Sequence, residues 1–88
     1  MIIGDVIGSV WATRKDEKLN GLKLLVVRPK YTDDLKAAFV AGDMASAGVG
    51  DTVLVTKGSS ARTAFGKEKI PIDSVIVGVV DSIDIKED

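Results

Sequence analysis

The residues best equipped for chemistry are two serines, Ser59 and Ser60, set directly behind Gly58. A hydroxyl becomes a nucleophile only when a base takes its proton, and the chain contains neither histidine nor cysteine. Lys57 or Lys67 would have to serve as that base. Helix capping and backbone hydrogen bonding are the simpler roles for both serines. The same two absences exclude disulfides, thiolate chemistry, zinc sites built on Cys and His, and imidazole acid–base catalysis.

The glycine-rich stretches fail as nucleotide loops. Gly66-Lys67 is followed by Glu68 where a phosphate-binding loop needs Ser or Thr, and Ala61 stands where its first glycine belongs. Gly48-Val49-Gly50-Asp51 lacks the third glycine of a dinucleotide loop and leads into Thr52-Val53-Leu54-Val55-Thr56, a strand pattern. Both stretches read as turns. Among the carboxylates, Asp33-Asp34 has turn or cap character. Asp73 and Asp81 lie in an apolar run and, if buried, each needs a donor such as a backbone N–H or Arg62. A single-stranded nucleic-acid site needs aromatic platforms beside a basic groove. The four aromatics, Trp11, Tyr31, Phe39 and Phe65, are scattered, and the lysines alternate with acids in Lys15-Asp16-Glu17-Lys18 and Lys67-Glu68-Lys69.

The elements that must position these residues are short and mostly extended. In 88 residues, 12 valines and 8 isoleucines outnumber six leucines, a β-branched excess that suits pleated sheet. Apolar segments fall at 2–13, 22–28, 37–42, 52–57 and 75–85, punctuated by glycine. In the last, Val75, Val77, Val79, Ile83 and Ile85 share one face of an extended chain. The first has apolar residues at 2, 3, 6, 7, 10 and 11, a spacing that also suits a helix. Gly4, Gly8 and the Ile/Val content favour a strand with two apolar faces, one for the core and one for a neighbouring subunit. Thr32-Asp33-Asp34 reads locally as the capped start of a helix through Phe39. Gly58 to Phe65 reads as a short helix between the fourth and fifth strands. Five strands with one small helix before the last suggest a compact barrel, of which the OB type is one form.

One domain over residues 1–88 is expected, soluble and intracellular. A net charge of −1 supplies no positive field for nucleic acid or anionic membrane. Met1 to Asp5 does not read as a signal peptide, and no apolar run reaches the length of a membrane span. A chain this small buries about 60% of its unfolded surface, so self-association is expected.

Four ordered motifs resemble the EutN/CcmL family, the pentameric vertex proteins of bacterial microcompartment shells. They are Gly8-Ser9-Val10-Trp11-Ala12-Thr13-Arg14-Lys15, Gly21 to Val27, Ala47 to Val55 with Gly58-Ser59-Ser60-Ala61-Arg62, and Pro71 to Asp81. The resemblance spans nearly the whole chain. It implies an all-β fold, a five-stranded OB-like barrel with one short helix before the last strand, assembling as a cyclic pentamer. It implies a structural role without catalysis or cofactor, closing the polyhedral shell of a carboxysome or metabolosome together with hexameric and trimeric facet proteins. It places Ser46, Ala47 and Gly48 near the five-fold axis, with Ser46 replacing a usual glycine. It assigns Ser59, Ser60 and Arg62 to the subunit interface, where the two-faced first strand also puts Val10. It also turns Lys36 to Asp43 into a strand, against the local helix reading. The alternative is a monomeric OB-fold module that binds single-stranded nucleic acid or another ligand.

Overall fold

A computed structural model describes residues 1–13, 15–64 and 70–86; the side chain of Arg62 lies outside the description as well. Among the described residues, five strands and one α-helix follow in chain order: β1 (Ile2–Val10), β2 (Lys23–Pro29), β3 (Phe39–Asp43), β4 (Thr52–Lys57), α1 (Ser59–Ala64) and β5 (Ser74–Val79). The sheet closes on itself in the order β1-β2-β3-β5-β4, with β4 returning to β1. All ladders are antiparallel except β3 with β5, which pair in parallel over Gly42–Val75 and Asp43–Ile76. This is the OB-like barrel expected from the sequence, with its helix in the expected place.

The first strand is long because it serves two neighbours. Its first half pairs with β4, from Ile2 opposite Val55 to Asp5 opposite Thr52. Its pairing with β2 runs on to Val10 opposite Leu24, through a register shift between Val6 and Gly8. That irregularity bends the strand around the barrel corner. Gly4 is required by proximity: a Cβ there would crowd the Val27 side chain and stand 2.9 Å from the Arg28 carbonyl oxygen. Val6, Leu25, Val27, Ala41, Ala47, Val53, Val55 and Ile76 form the core, with Ile2, Phe39 and Ala45 packed against it. Valine dominates because a narrow barrel interior admits few larger side chains.

Three local expectations are corrected. The Thr32-Asp33-Asp34 signal does make helix, but only one 3-10 turn at Leu35–Ala37, and its cap is Asp34, whose side chain accepts from the Lys36 N–H. The strand implied from Lys36 begins instead at Phe39, so residues 36 and 37 belong to that turn. The five-residue register of β3 on β2, Phe39 opposite Val27 through Asp43 opposite Lys23, claims the rest. In the last segment, the register shift between Leu54 and Val55 breaks the alternation, so Val75 and Ile76 are both buried while Val77 and Val79 are exposed. The strand also stops at Val79, and Asp81 to Lys86 are exposed rather than part of a sheet. Asp73 and Asp81 are therefore exposed carboxylates, and neither needs a buried donor.

Candidate functional site

The loop from Met44 to Asp51 connects β3 to β4 and is held by two aspartates. Asp43 accepts from the Ala45 N–H at 2.9 Å and the Ala47 N–H at 3.0 Å, and pairs with Lys23 at 3.1 Å. Lys23 in turn donates to the Ala47 carbonyl. At the other end, Asp51 accepts from the Gly48 N–H at 2.8 Å, and its own N–H donates to the Gly48 carbonyl. The Gly50 N–H donates to the Val6 carbonyl and the Val6 N–H donates to the Asp51 carbonyl, tying the loop to β1. The side chain of Ala47 enters the core at 1% exposure. Ser46 is exposed beside it with a φ of 58°, the left-handed region that favours glycine. Sequence reading missed both aspartates; an Asp followed by small residues at a strand end is the available signal, since such carboxylates cap their own turn.

Val10 ends β1 next to this loop. With Trp11, Leu22, Leu24 and Val49 it lines a groove of about 360 Å3, which Gly48 also borders. Three of the expected positions, Val10, Ala47 and Gly48, are thus one neighbourhood. The serines are elsewhere. Ser59 and Ser60 are exposed in α1, which follows the far end of β4 and packs on β4 and β5. Val10 lies eight residues beyond Ile2 on β1, about 26 Å at strand rise, and Ile2 pairs with Val55 near that far end. Gly58, at a φ of 70°, immediately precedes the helix, which begins at Ser59, and its carbonyl accepts from the Ala61 N–H. Lys57, considered above as a base, lies over the Phe39 ring at 3.7 Å. Lys67, the Gly66-Lys67-Glu68 turn, Phe65 and Arg14 fall outside the described residues, as does the side chain of Arg62.

Midway along β1, Asp5 accepts from Thr52 Oγ1 at 2.9 Å and Lys30 Nζ at 3.1 Å. Burial pushes its carboxyl upward, but those hydrogen bonds and the charges of Lys30 and Arg28 outweigh it and hold it below its ordinary value. The cluster locks β1, β2 and β4 together. Among the described residues, no group of three or more carboxylates is placed to hold a metal ion, and no helix is long and apolar enough to cross a membrane. The groove at the Val10 end and the exposed serines of α1 are thus two separate patches among the described residues.

A family model described as "Ethanolamine utilisation protein EutN/carboxysome" matches residues 1–81. The bacterial microcompartment shell vertex protein GrpN of Rhodospirillum rubrum (strain F11) is 44% identical over 87 residues, spanning 96% of this chain and 97% of its own. The carboxysome shell vertex protein CcmL of Synechocystis sp. is 38% identical over 87 residues, spanning 97% of this chain and 87% of its own. The solved structure of GrpN, described as a pentameric microcompartment shell protein from Rhodospirillum rubrum, superposes with a TM-score of 0.83 at 40% identity, covering 98% of this chain and 100% of GrpN. With barrel, motif order and length all shared, the chain belongs to the EutN/CcmL family of microcompartment shell vertex proteins.

Proposed function

We propose that five copies of this chain close into a ring that occupies a five-fold vertex of a microcompartment shell and meets hexameric and trimeric facet proteins along its sides. The observation that carries this reading is the whole-chain match to a pentameric shell protein, 40% identical with a TM-score of 0.83. The role is structural, not enzymatic. A ring of five is a head-to-tail assembly in which each subunit presents two different surfaces. Two such surfaces are available, the Val10 groove end and the α1 end. A flat hexagonal layer cannot close into a polyhedron without five-fold points, and a rigid ring of small barrels satisfies that geometry. In this reading Ser46, Ala47 and Gly48 stand near the axis, and Val10, Ser59, Ser60 and Arg62 contribute to contacts between subunits.

Light scattering on the purified chain tests the ring. Five copies of a 9.3 kDa chain give a particle of about 46 kDa, and a monomer persisting at high concentration would remove the function while leaving the barrel. Co-expression with facet proteins tests the vertex role. Closed particles with this chain, and open or elongated ones without it, are expected; identical closed shells in both cases would overturn it.

A further inference from the structure

The chain leaves the barrel at Val80, whose N–H donates to the Thr52 carbonyl at 2.8 Å, and Asp81 to Lys86 are all exposed. Two of these residues are large and apolar: Ile83 is 36% and Ile85 64% exposed. In an extended segment they point the same way, with Asp84 opposite. The base of the segment, Val80 to Ile83, forms a shallow recess with Thr52. Among the described residues, none beyond Val80 lines the groove between the ends of β1 and β2.

That groove is largely apolar. Its walls are Val10, Leu22, Leu24, Val49 and Trp11, the last 93% exposed, and its rim carries Lys15 and Lys23. It also borders an unfinished sheet edge. Pairing of β1 with β4 ends at Asp5, whereas pairing with β2 continues to Val10, so among the described residues no strand pairs with Gly8 to Val10 on the β4 side. An open edge of this kind accepts an extended segment through main-chain hydrogen bonds, with side chains entering the adjoining pocket.

We infer that the segment from Val80 to Lys86 of one subunit docks in the groove of its neighbour, with Ile83 and Ile85 as apolar anchors and the open edge of β1 as backbone partner. This rests on the ring reading and specifies what one subunit gives the next. Charge agrees. Residues 81–88 hold four acids (Asp81, Asp84, Glu87, Asp88) against Lys86 alone. Residues 11–23 hold four cations (Arg14, Lys15, Lys18, Lys23) against Asp16 and Glu17. Opposite net charges on the two stretches of sequence guide encounter; of these cations Lys15 and Lys23 line the groove, and Lys23 also pairs with Asp43. Six steps of extended chain carry the segment about 20 Å beyond Val80.

Cross-linking tests the contact directly, and the natural chain has no cysteine to interfere. The mass of the wild-type chain is measured first. A ring-forming Val49→Cys/Ile85→Cys variant, mildly oxidised, is then expected to give a ladder on a non-reducing gel, reaching five linked chains. A ring that yields only monomers, whether unlinked or closed within one chain, overturns the docking and leaves the ring intact. A wild-type chain that is monomeric overturns both. A second readout uses Trp11, the single tryptophan. Its emission in the wild-type ring is expected to be blue-shifted and to move red when residues 82–88 are removed, with the barrel's unfolding transition retained. A wild-type ring whose Trp11 emission matches that of the truncated chain would also refute the docking.

Discussion

The ammonium of Lys23 and the carboxylate of Asp43 stand 3.1 Å apart across the first residues of one ladder, where β2 begins and β3 ends. The aspartate side chain is almost wholly buried and the lysine half exposed. Both also reach into the next loop, Asp43 to the Ala45 and Ala47 N–H groups and Lys23 to the Ala47 carbonyl. One pair therefore fixes two strands and the loop that carries Ser46, Ala47 and Gly48.

Removing the carboxylate strands two partly buried N–H donors and the lysine at once. Asp43→Ala is expected to cost about 2–4 kcal/mol, the range for breaking a buried charged network. Lys23→Met should cost about 1 kcal/mol, since its ammonium is half in water. Denaturant titration reads both, and equal losses would show that the pair, rather than the buried carboxylate, holds the loop.

Ser46 occupies a backbone conformation with a φ of 58°. A left-handed residue with a Cβ costs about 1–2 kcal/mol, against which glycine's greater freedom in the unfolded chain returns part. Ser46→Gly is therefore expected to stabilise the barrel by about 0.5–1 kcal/mol, raising Tm by a few degrees. Thermal unfolding checks it, and a loss of stability would assign the serine hydroxyl a contact worth more than the strain.

Val10 is half-buried at the groove end of β1 and outside the core cluster. Val10→Glu should leave the barrel within about 1 kcal/mol of its stability while converting the ring to single chains. An unpaired charge in an apolar subunit contact costs far more than the same charge at a wet surface. Size-exclusion with light scattering reports the assembly and denaturant unfolding the fold. A variant that keeps the ring moves the interface away from Val10.

The barrel was legible because its signals were local and consistent: β-branched runs, glycine turns and one helix of small residues at Gly58. The resemblance turned residues 36–43 into a strand, which local periodicity did not, and the strand order emerged only in the structure. Reading failed where pairing overrode pattern. Asp34 caps a helix that stops after one turn because β2 takes the chain from Phe39 onward. The register shift beside Leu54 exposes Val77 and Val79, which alternation from Val75 would bury. The groove was visible only in part, through Val10, since it brings together residues near 10, 23 and 48 that no sequence spacing relates. Asp43 and Asp51 escaped notice because a carboxylate that caps its own loop looks like any turn residue until the backbone donors are placed.

Asp5 sets how the barrel responds to acid. Its carboxyl is held below 3.8 in the fold, burial opposing the shift while Thr52, Lys30 and the nearby Arg28 favour the charged form. A group depressed by folding contributes its full stabilisation above its unfolded value, near 3.8, and loses it as pH falls through the lower folded value. The barrel should therefore lose stability below about pH 4. Asp5→Asn keeps the shape and can still accept from Thr52, but it cannot attract Lys30 or Arg28. The substitution is expected to cost about 1 kcal/mol at neutral pH and progressively less as pH falls below about 4. Unfolding free energies of both proteins between pH 2 and pH 7 check this, and a difference that stays constant across that range would show that the Asp5 charge takes no part in joining β1 to β2 and β4.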